Sequence, residues 1–235
     1  MLSSREQNPN GQGPSRADLA RAGFINTTRA QRLLAETVLT PLLEATPVSS
    51  LLADLADSPD PDQATLALVR LCEASPKPQQ LAQNLKRSSH RRRLLALLGA
   101  SSALGDFLIA NPDSVAYLDQ EFDAEKVAAT MTSRVKRALD AGSIPDAVHG
   151  LRLSYYQALC AIAAGDLTHP QPLQYMPQVG LQLSQLADAA VAAALPIAYR
   201  KAGASDQLAF CVIAMGKTGA RELNYISDVD VMYVV

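Results

Sequence analysis

Two aspartates, Asp228 and Asp230, stand one residue apart near the end of this 235-residue sequence, at the head of an apolar run. Alternate residues of an extended segment point to one side, so both carboxylates share a face and Val229 turns the other way. Two like charges so placed repel each other unless a cation lies with them, and a hard divalent ion such as Mg²⁺ takes oxygen ligands. Carboxylate-held ions of this kind serve in-line phosphoryl displacement. Upstream, Gly216 and Gly219 follow a second apolar run, with Lys217 between them and Arg221 just after. A glycine turn lets a phosphate approach the backbone, and a helix opening at Arg221 would aim free N–H groups at it. The stretch is neither a Walker loop, because Lys217 comes too early for GxxxxGK[ST], nor a GxGxxG turn. A bare DxD is also what a solvated strand end looks like. The specificity lies in residues 216–230 as a whole, where glycines, cations and acids fall in the order a nucleotide needs.

The elements that must position these groups can be read from periodicity. Residues 209–215 and 229–235 are short, apolar and rich in β-branched members, which predicts two buried strands flanking the motif. Two strands do not make a stable sheet, so a second domain is expected to begin near residue 208 with most of it missing beyond Val235. Before it, apolar residues recur at helical spacing, and the fold expected is mainly α, with a helical domain over 16–207. Leu33, Leu34, Val38 and Leu42 form one stripe, bounded by Pro41 and Pro47. Further helices are expected over 50–56, around Leu66 to Leu71, through Leu94 to Leu98, and through Leu104 to Leu108. Asp123 should start a helix carrying Val127, Met131, Val135 and Leu139, with Gly142 just past its end. Pro145 should open the next, and a last long helix should run over 173–199. Residues 1–15 are polar and rich in Gly, Pro, Asn and Ser, a disordered composition.

Composition narrows the function. Hydrophobic residues are 48% and charged residues 19%, which excludes wholesale disorder, and 5% aromatic content disfavours a sheet-rich chain. A net charge of −2 offers no global attraction to nucleic acid or an anionic membrane. Cys72, Cys160 and Cys211 form no CxxC pair, and the N-terminus has no signal-peptide h-region. The greasiest stretch, 187–198, is shorter than a span and is interrupted by Asp188 and Pro196. A cytoplasmic protein without nucleic-acid or membrane partners is expected. Lys86, Arg87, His90 and Arg91 to Arg93 read as the solvated face of a helix, since no aromatics interleave them for base stacking. His90, His149 and His169 are too scattered for a ligand cluster. Tyr155 and Tyr156 read as core and rim. Lys217 and Arg221 could hold phosphate or merely occupy an exposed turn, and Glu222 and Asn224 could brace that turn.

Residues 214–230, AMGKTGARELNYISDVD, closely resemble the signature of the glutamine synthetase adenylyltransferase family, G-M-G-K-L-G-G-R-E-L-N-x-x-S-D-I-D. The matches are Gly216, Lys217, Gly219, Arg221, Glu222, Leu223, Asn224, Ser227, Asp228 and Asp230. The departures are Ala214, Thr218 and Ala220, and at Ala220 a phosphate contact would have to come from backbone. Leu98 to Ser102 and Asn111-Pro112 resemble the family's helical region more weakly. The resemblance implies a nucleotidyltransferase domain of the DNA polymerase β type, with Asp228 and Asp230 catalytic and holding Mg²⁺. It places nucleotide or phosphate near Gly216, Lys217, Gly219, Ala220, Arg221 and Ser227. The family carries one such motif in each half, and some 200 helical residues before this copy match the first. That half removes AMP from a tyrosine of glutamine synthetase by phosphorolysis, releasing ADP, and the half that adds AMP from ATP would be absent. Control by a PII-type signalling protein is implied likewise. The superfamily's third carboxylate comes from a later strand, so this chain is expected to be weak or inactive alone. The contrasting expectation is a non-catalytic helical module that docks protein partners.

Overall fold

The computed structural model describes residues 13–204 and 210–234. The chain forms two compact units, Met1–Val115 and Ala116–Val235. The first unit is helical throughout its described residues: α1 (Arg16–Arg21), α2 (Thr27–Leu34), α3 (Thr40–Ala45), α4 (Val48–Ala56), α5 (Pro61–Ala74), α6 (Pro78–Leu85), α7 (Ser88–Ala100) and α8 (Ser102–Ala110). Its centre is α5, which buries Leu68 and Leu71 and packs against α2, α4, α7 and α8. The stripe through Leu33 and Leu42 is not one helix. It is split into α2, a 3₁₀ turn at Thr37–Leu39, and α3, because Pro41 is tolerated in a helix's first turn but not in mid-helix.

Two further expectations are corrected here. Of residues 1–15, the first twelve lie outside the described residues, whereas Ser15 is ordered and caps α1 in a reciprocal capping box with Asp18. The basic run is only partly a solvated face. Lys86, Arg87 and Arg92 are exposed, but His90 and Arg91 are buried. Arg91 donates from Nε to Asp54 Oδ2 of α4 at 2.6 Å and from Nη1 to the Leu85 carbonyl at 2.9 Å. A carboxylate arriving from another helix makes this burial tolerable, and sequence-local reasoning could not see it.

The second unit holds α9 (Ala124–Asp140), α10 (Ile144–Leu167) and α11 (Pro172–Ala202), mutually packed, then β1 (Cys211–Ala214), α12 (Gly216–Gly219) and β2 (Val231–Val234). Asp123 is the N-cap of α9, and its carboxylate sits below the usual range because it accepts the Lys126 backbone N–H. Gly142 follows at φ +83°, and Ser143 caps α10 with Pro145 in its first turn, as the sequence predicts. The core joins Met131, Val135 and Leu139 of α9 to Ile162 of α10 and Leu183 and Leu186 of α11. The apolar stretch at 187–198 belongs to a 31-residue helix that runs through Pro177 and Pro196. By length and composition α11 could cross a membrane, yet here it buries one face against α9 and α10 as a core helix.

β1 and β2 pair antiparallel, with Cys211 opposite Val234 and Ala214 opposite Val231. Met215 N–H donates to the Asp230 carbonyl at 2.9 Å and extends the ladder by one position. Both strands are shorter than the apolar runs, whose ends at Ala209 and Val235 lie outside the described residues. Neither is buried as expected: with only each other as a sheet among the described residues, they leave Cys211, Ile213, Met232, Tyr233 and Val234 exposed. The strand pair faces α11 across a cleft of about 460 Å³ whose walls include Val191, Leu195, Val212, Val229 and Val231.

Candidate active site

The motif is a tight turn followed by a pinned loop. Gly216 takes φ +52°, and a Cβ built there would lie 2.7 Å from Asp230 Oδ2. The missing side chain is therefore the space in which the Asp230 carboxylate rests. At Gly219 a Cβ would lie 2.6 Å from the Ala214 carbonyl oxygen, so α12 folds back onto the end of β1 only because this residue has no side chain. The two glycines of the motif thus have separate steric reasons. The first i→i−4 bond of the turn is Gly219 N–H to Met215 C=O at 3.0 Å, so the amides of residues 216–218 precede it.

The helix expected to open at Arg221 is instead α12, which ends at Gly219. Arg221 has φ +64°, a left-handed conformation that cannot start a right-handed helix. Lys217 reaches across to the loop, its Nζ donating to Ser227 Oγ at 3.4 Å. Ser227 Oγ donates to Asn224 Oδ1 at 2.7 Å, and that oxygen also accepts the Ile226 N–H at 3.1 Å. Asn224 braces the turn that leads to Asp228. Val229 and Val231 line the cleft toward α11, and Asp230 between them projects to the other side, over Gly216. The structure brings Gly216 against Asp230 and Lys217 against Ser227, with Gly219 and Ala220 closing the turn and Asp228 next in the chain after Ser227. It takes the Arg221 side chain away, into an ion pair with Asp188 of α11.

Four contacts that sequence reading missed hold the loop on the helices. Besides Arg221–Asp188, Leu223 is buried in the helical core and its N–H donates to Ser184 Oγ at 3.2 Å. The backbone of Glu222 lies against Gly180, where a Cβ would sit 3.4 Å from Glu222 Cα, at van der Waals contact. Tyr225 OH donates to Asp166 Oδ2 at 3.0 Å. Burial, with the Asp166 carboxylate second, pushes the Tyr225 phenol well above its ordinary pKa, so it stays a donor. Gly180, Ser184 and Asp188 recur every four residues, one stripe along α11. That spacing of small and polar residues inside an Ala-rich helix is the available signal, and Asp188 is one of its members as well as an interruption of an apolar stretch.

Asp228 and Asp230 are both exposed, and among the described residues no group of three or more His, Cys, Asp or Glu gathers to hold a metal. Asp228 and Asp230 beside the glycine turn could together hold one Mg²⁺, which would supply positive charge against phosphate oxygens. They do not suffice for a metal pair.

The family model for glutamate-ammonia ligase adenylyltransferase (GlnE) matches residues 91–235. Among curated proteins, the bifunctional glutamine synthetase adenylyltransferase/adenylyl-removing enzyme of Bifidobacterium longum subsp. infantis is 34% identical over 94% of this chain and 22% of its own length. The proteins of the same name from Mycobacterium avium and Mycobacterium marinum are 43% and 38% identical, over 78% and 96% of this chain and 19% and 23% of their own. The chain thus spans about a fifth of the length of these relatives. No solved structure matches it. With the family model covering more than half of the chain and the motif inside the match, the chain belongs to the glutamate-ammonia ligase adenylyltransferase family.

Proposed function

We propose that this chain is the N-terminal part of the adenylyl-removing half of a bifunctional enzyme that controls glutamine synthetase. In this reading residues 208–235 begin a polymerase β-type nucleotidyltransferase domain, and the chemistry is phosphorolysis of a tyrosyl-AMP bond to give ADP. The observation that carries the reading is the Asp230 carboxylate resting on Gly216, an acidic side chain held against the glycine turn. The helical bulk leading into this motif supports assignment to the first half.

Asp228 and Asp230 would hold a Mg²⁺ that neutralises phosphate charge. Lys217 lies beside that site through Ser227 and supplies a cation for the same oxygens. The amides of Gly216, Lys217 and Thr218 offer donors where Ala220 has no hydroxyl to give. Glutamine synthetase is the protein substrate, nucleotide and phosphate are the small ones, and a PII-type regulator acts on the longer protein. The compartment is the cytoplasm.

The test is phosphate-dependent release of ADP from adenylylated glutamine synthetase, run on this chain and on the full-length protein. The chain alone should be weak or inactive, since two carboxylates leave a metal pair underheld. In the full-length protein, Asp230→Asn should abolish adenylyl removal and spare adenylyl addition. Strong ADP release by residues 1–235, or normal removal by the full-length variant, would overturn the proposal.

A further inference from the structure

The loop that carries Asp228 has little support from its own sheet, because two short strands are marginal by themselves. Its order comes from α10 and α11. Leu223 is seated in the helical core, its amide is held by Ser184, and Tyr225 is tied to Asp166. The point nearest the glycine turn is Arg221, which is the non-glycine residue at positive φ among the described residues. A left-handed arginine is strained and persists only when its surroundings hold it. The group holding it is Asp188, one helical step beyond Ser184 on the same stripe of α11. Both side chains are only about half exposed, and the Arg221 backbone N–H is itself bonded to the Thr218 carbonyl at 3.2 Å. Arg221 therefore links the end of the turn bearing Gly216 to the helix beneath it.

We propose that Asp188 is a positioning residue: by pairing with Arg221 it fixes the left-handed exit of the glycine turn, and so sets where Gly216 meets the Asp230 carboxylate. This rests on the two-carboxylate reading of the site. It also gives Arg221 a different job from binding phosphate, since its guanidinium is committed to α11. Asp166 acts at the far end of the loop through Tyr225, and the two acids make the helical face a template for the motif.

The experiment uses the 235-residue chain and Mn²⁺ alone as the probe, with hydrogen exchange at the Leu223 amide as a second readout. Asp188→Asn should weaken Mn²⁺ binding about fivefold and speed Leu223 exchange by a similar factor, the scale of a partly exposed ion pair, with the thermal midpoint unchanged. Asp188→Glu should restore both. The exchanged pair, Asp188→Arg with Arg221→Asp, should restore Leu223 protection, since aspartate tolerates the left-handed region. Asp230→Asn is the reference and should abolish binding without changing Leu223 exchange. If Asp230→Asn abolishes binding while Asp188→Asn changes neither readout, the positioning role is overturned and the two-carboxylate reading stands. If binding survives Asp230→Asn, that reading falls, and Leu223 exchange still decides whether Asp188 holds the loop.

Discussion

Replacing Gly216 by alanine separates the two functions this residue performs. One is conformational: at φ +52° an L-residue carries a left-handed penalty of about 1–2 kcal/mol. The other is spatial: the new methyl would sit 2.7 Å from Asp230 Oδ2, inside any real contact distance. The colliding atom is the end of a side chain, so the carboxylate swings away while the backbone survives. Displacing one of the two proposed ligands should weaken Mn²⁺ binding by at least about tenfold, equivalent to about 1.4 kcal/mol. Gly142 provides the control. It also lies at positive φ, +83°, but a Cβ there meets nothing within 4 Å. Gly142→Ala should lower the thermal midpoint by about 2–4 °C per kcal/mol lost and leave cation binding unchanged. Free Mn²⁺ followed by electron paramagnetic resonance during titration reads the affinity directly. The reasoning is refuted if Gly216→Ala binds Mn²⁺ like the wild type, or if Gly142→Ala loses binding equally.

Other perturbations probe the supports. Gly180→Ala meets Glu222 Cα at 3.4 Å, an ordinary contact, and gains helix propensity of up to about 1 kcal/mol, so unfolding by denaturant should show a neutral or stabilised protein. A bulkier Gly180→Leu should release the loop and speed Leu223 amide exchange. Asp54→Ala should cost about 3–5 kcal/mol in the same denaturant assay, because it strands the buried Arg91 guanidinium. Burial pushes the Cys72 and Cys160 thiols up to about 12 from 9.0. Between these values the unfolded chain ionises and the folded chain does not, so stability should fall as pH rises above 9, by at most about 1.4 kcal/mol per pH unit for each thiol. Native labelling by iodoacetamide at pH 8 should accordingly reach the exposed Cys211 and spare the other two.

Sequence legibility followed the range of the forces involved. The α9 cap at Asp123, the left-handed Gly142 and the Pro145 start of α10 are local chemistry, settled within a few residues, and they were readable. The split between α2 and α3 was missed because a continuous apolar stripe outweighed a proline that the chain could accommodate by restarting the helix. Arg91 was read as solvated because its partner, Asp54, lies 37 residues away. At the site, the acids and glycines were legible from their spacing. The course of Arg221 was not, since its left-handed backbone answers to Asp188 across the loop.

That asymmetry bears on how such a site can work at all. The residues that would touch phosphate and metal are clustered in fifteen consecutive positions, so the chemistry is written locally. Their geometry is not. The strand pair leaves Met232, Tyr233 and Val234 exposed, and it has no third strand among the described residues to stiffen it. What holds the loop ahead of Asp228 and Asp230 is its own Leu223, seated in the helical core, together with Asp188, Ser184 and Asp166 of the helices, which precede their loop partners by 33 to 59 positions. Thr218 shows the same dependence in reverse. Where the family pattern has leucine, this chain buries a hydroxyl that has no hydrogen-bond partner among the described residues. An unsatisfied buried hydroxyl costs about 1–3 kcal/mol. Thr218→Val keeps the shape and removes that cost, so it should slow hydrogen exchange at the Gly219 and Ala220 amides, whose bonds to Met215 and Gly216 close the turn. If those amides exchange as fast as before, the turn draws its stability from the α11 contacts alone, and substitutions at Asp188 and Ser184 should then move them while substitutions at Thr218 do not.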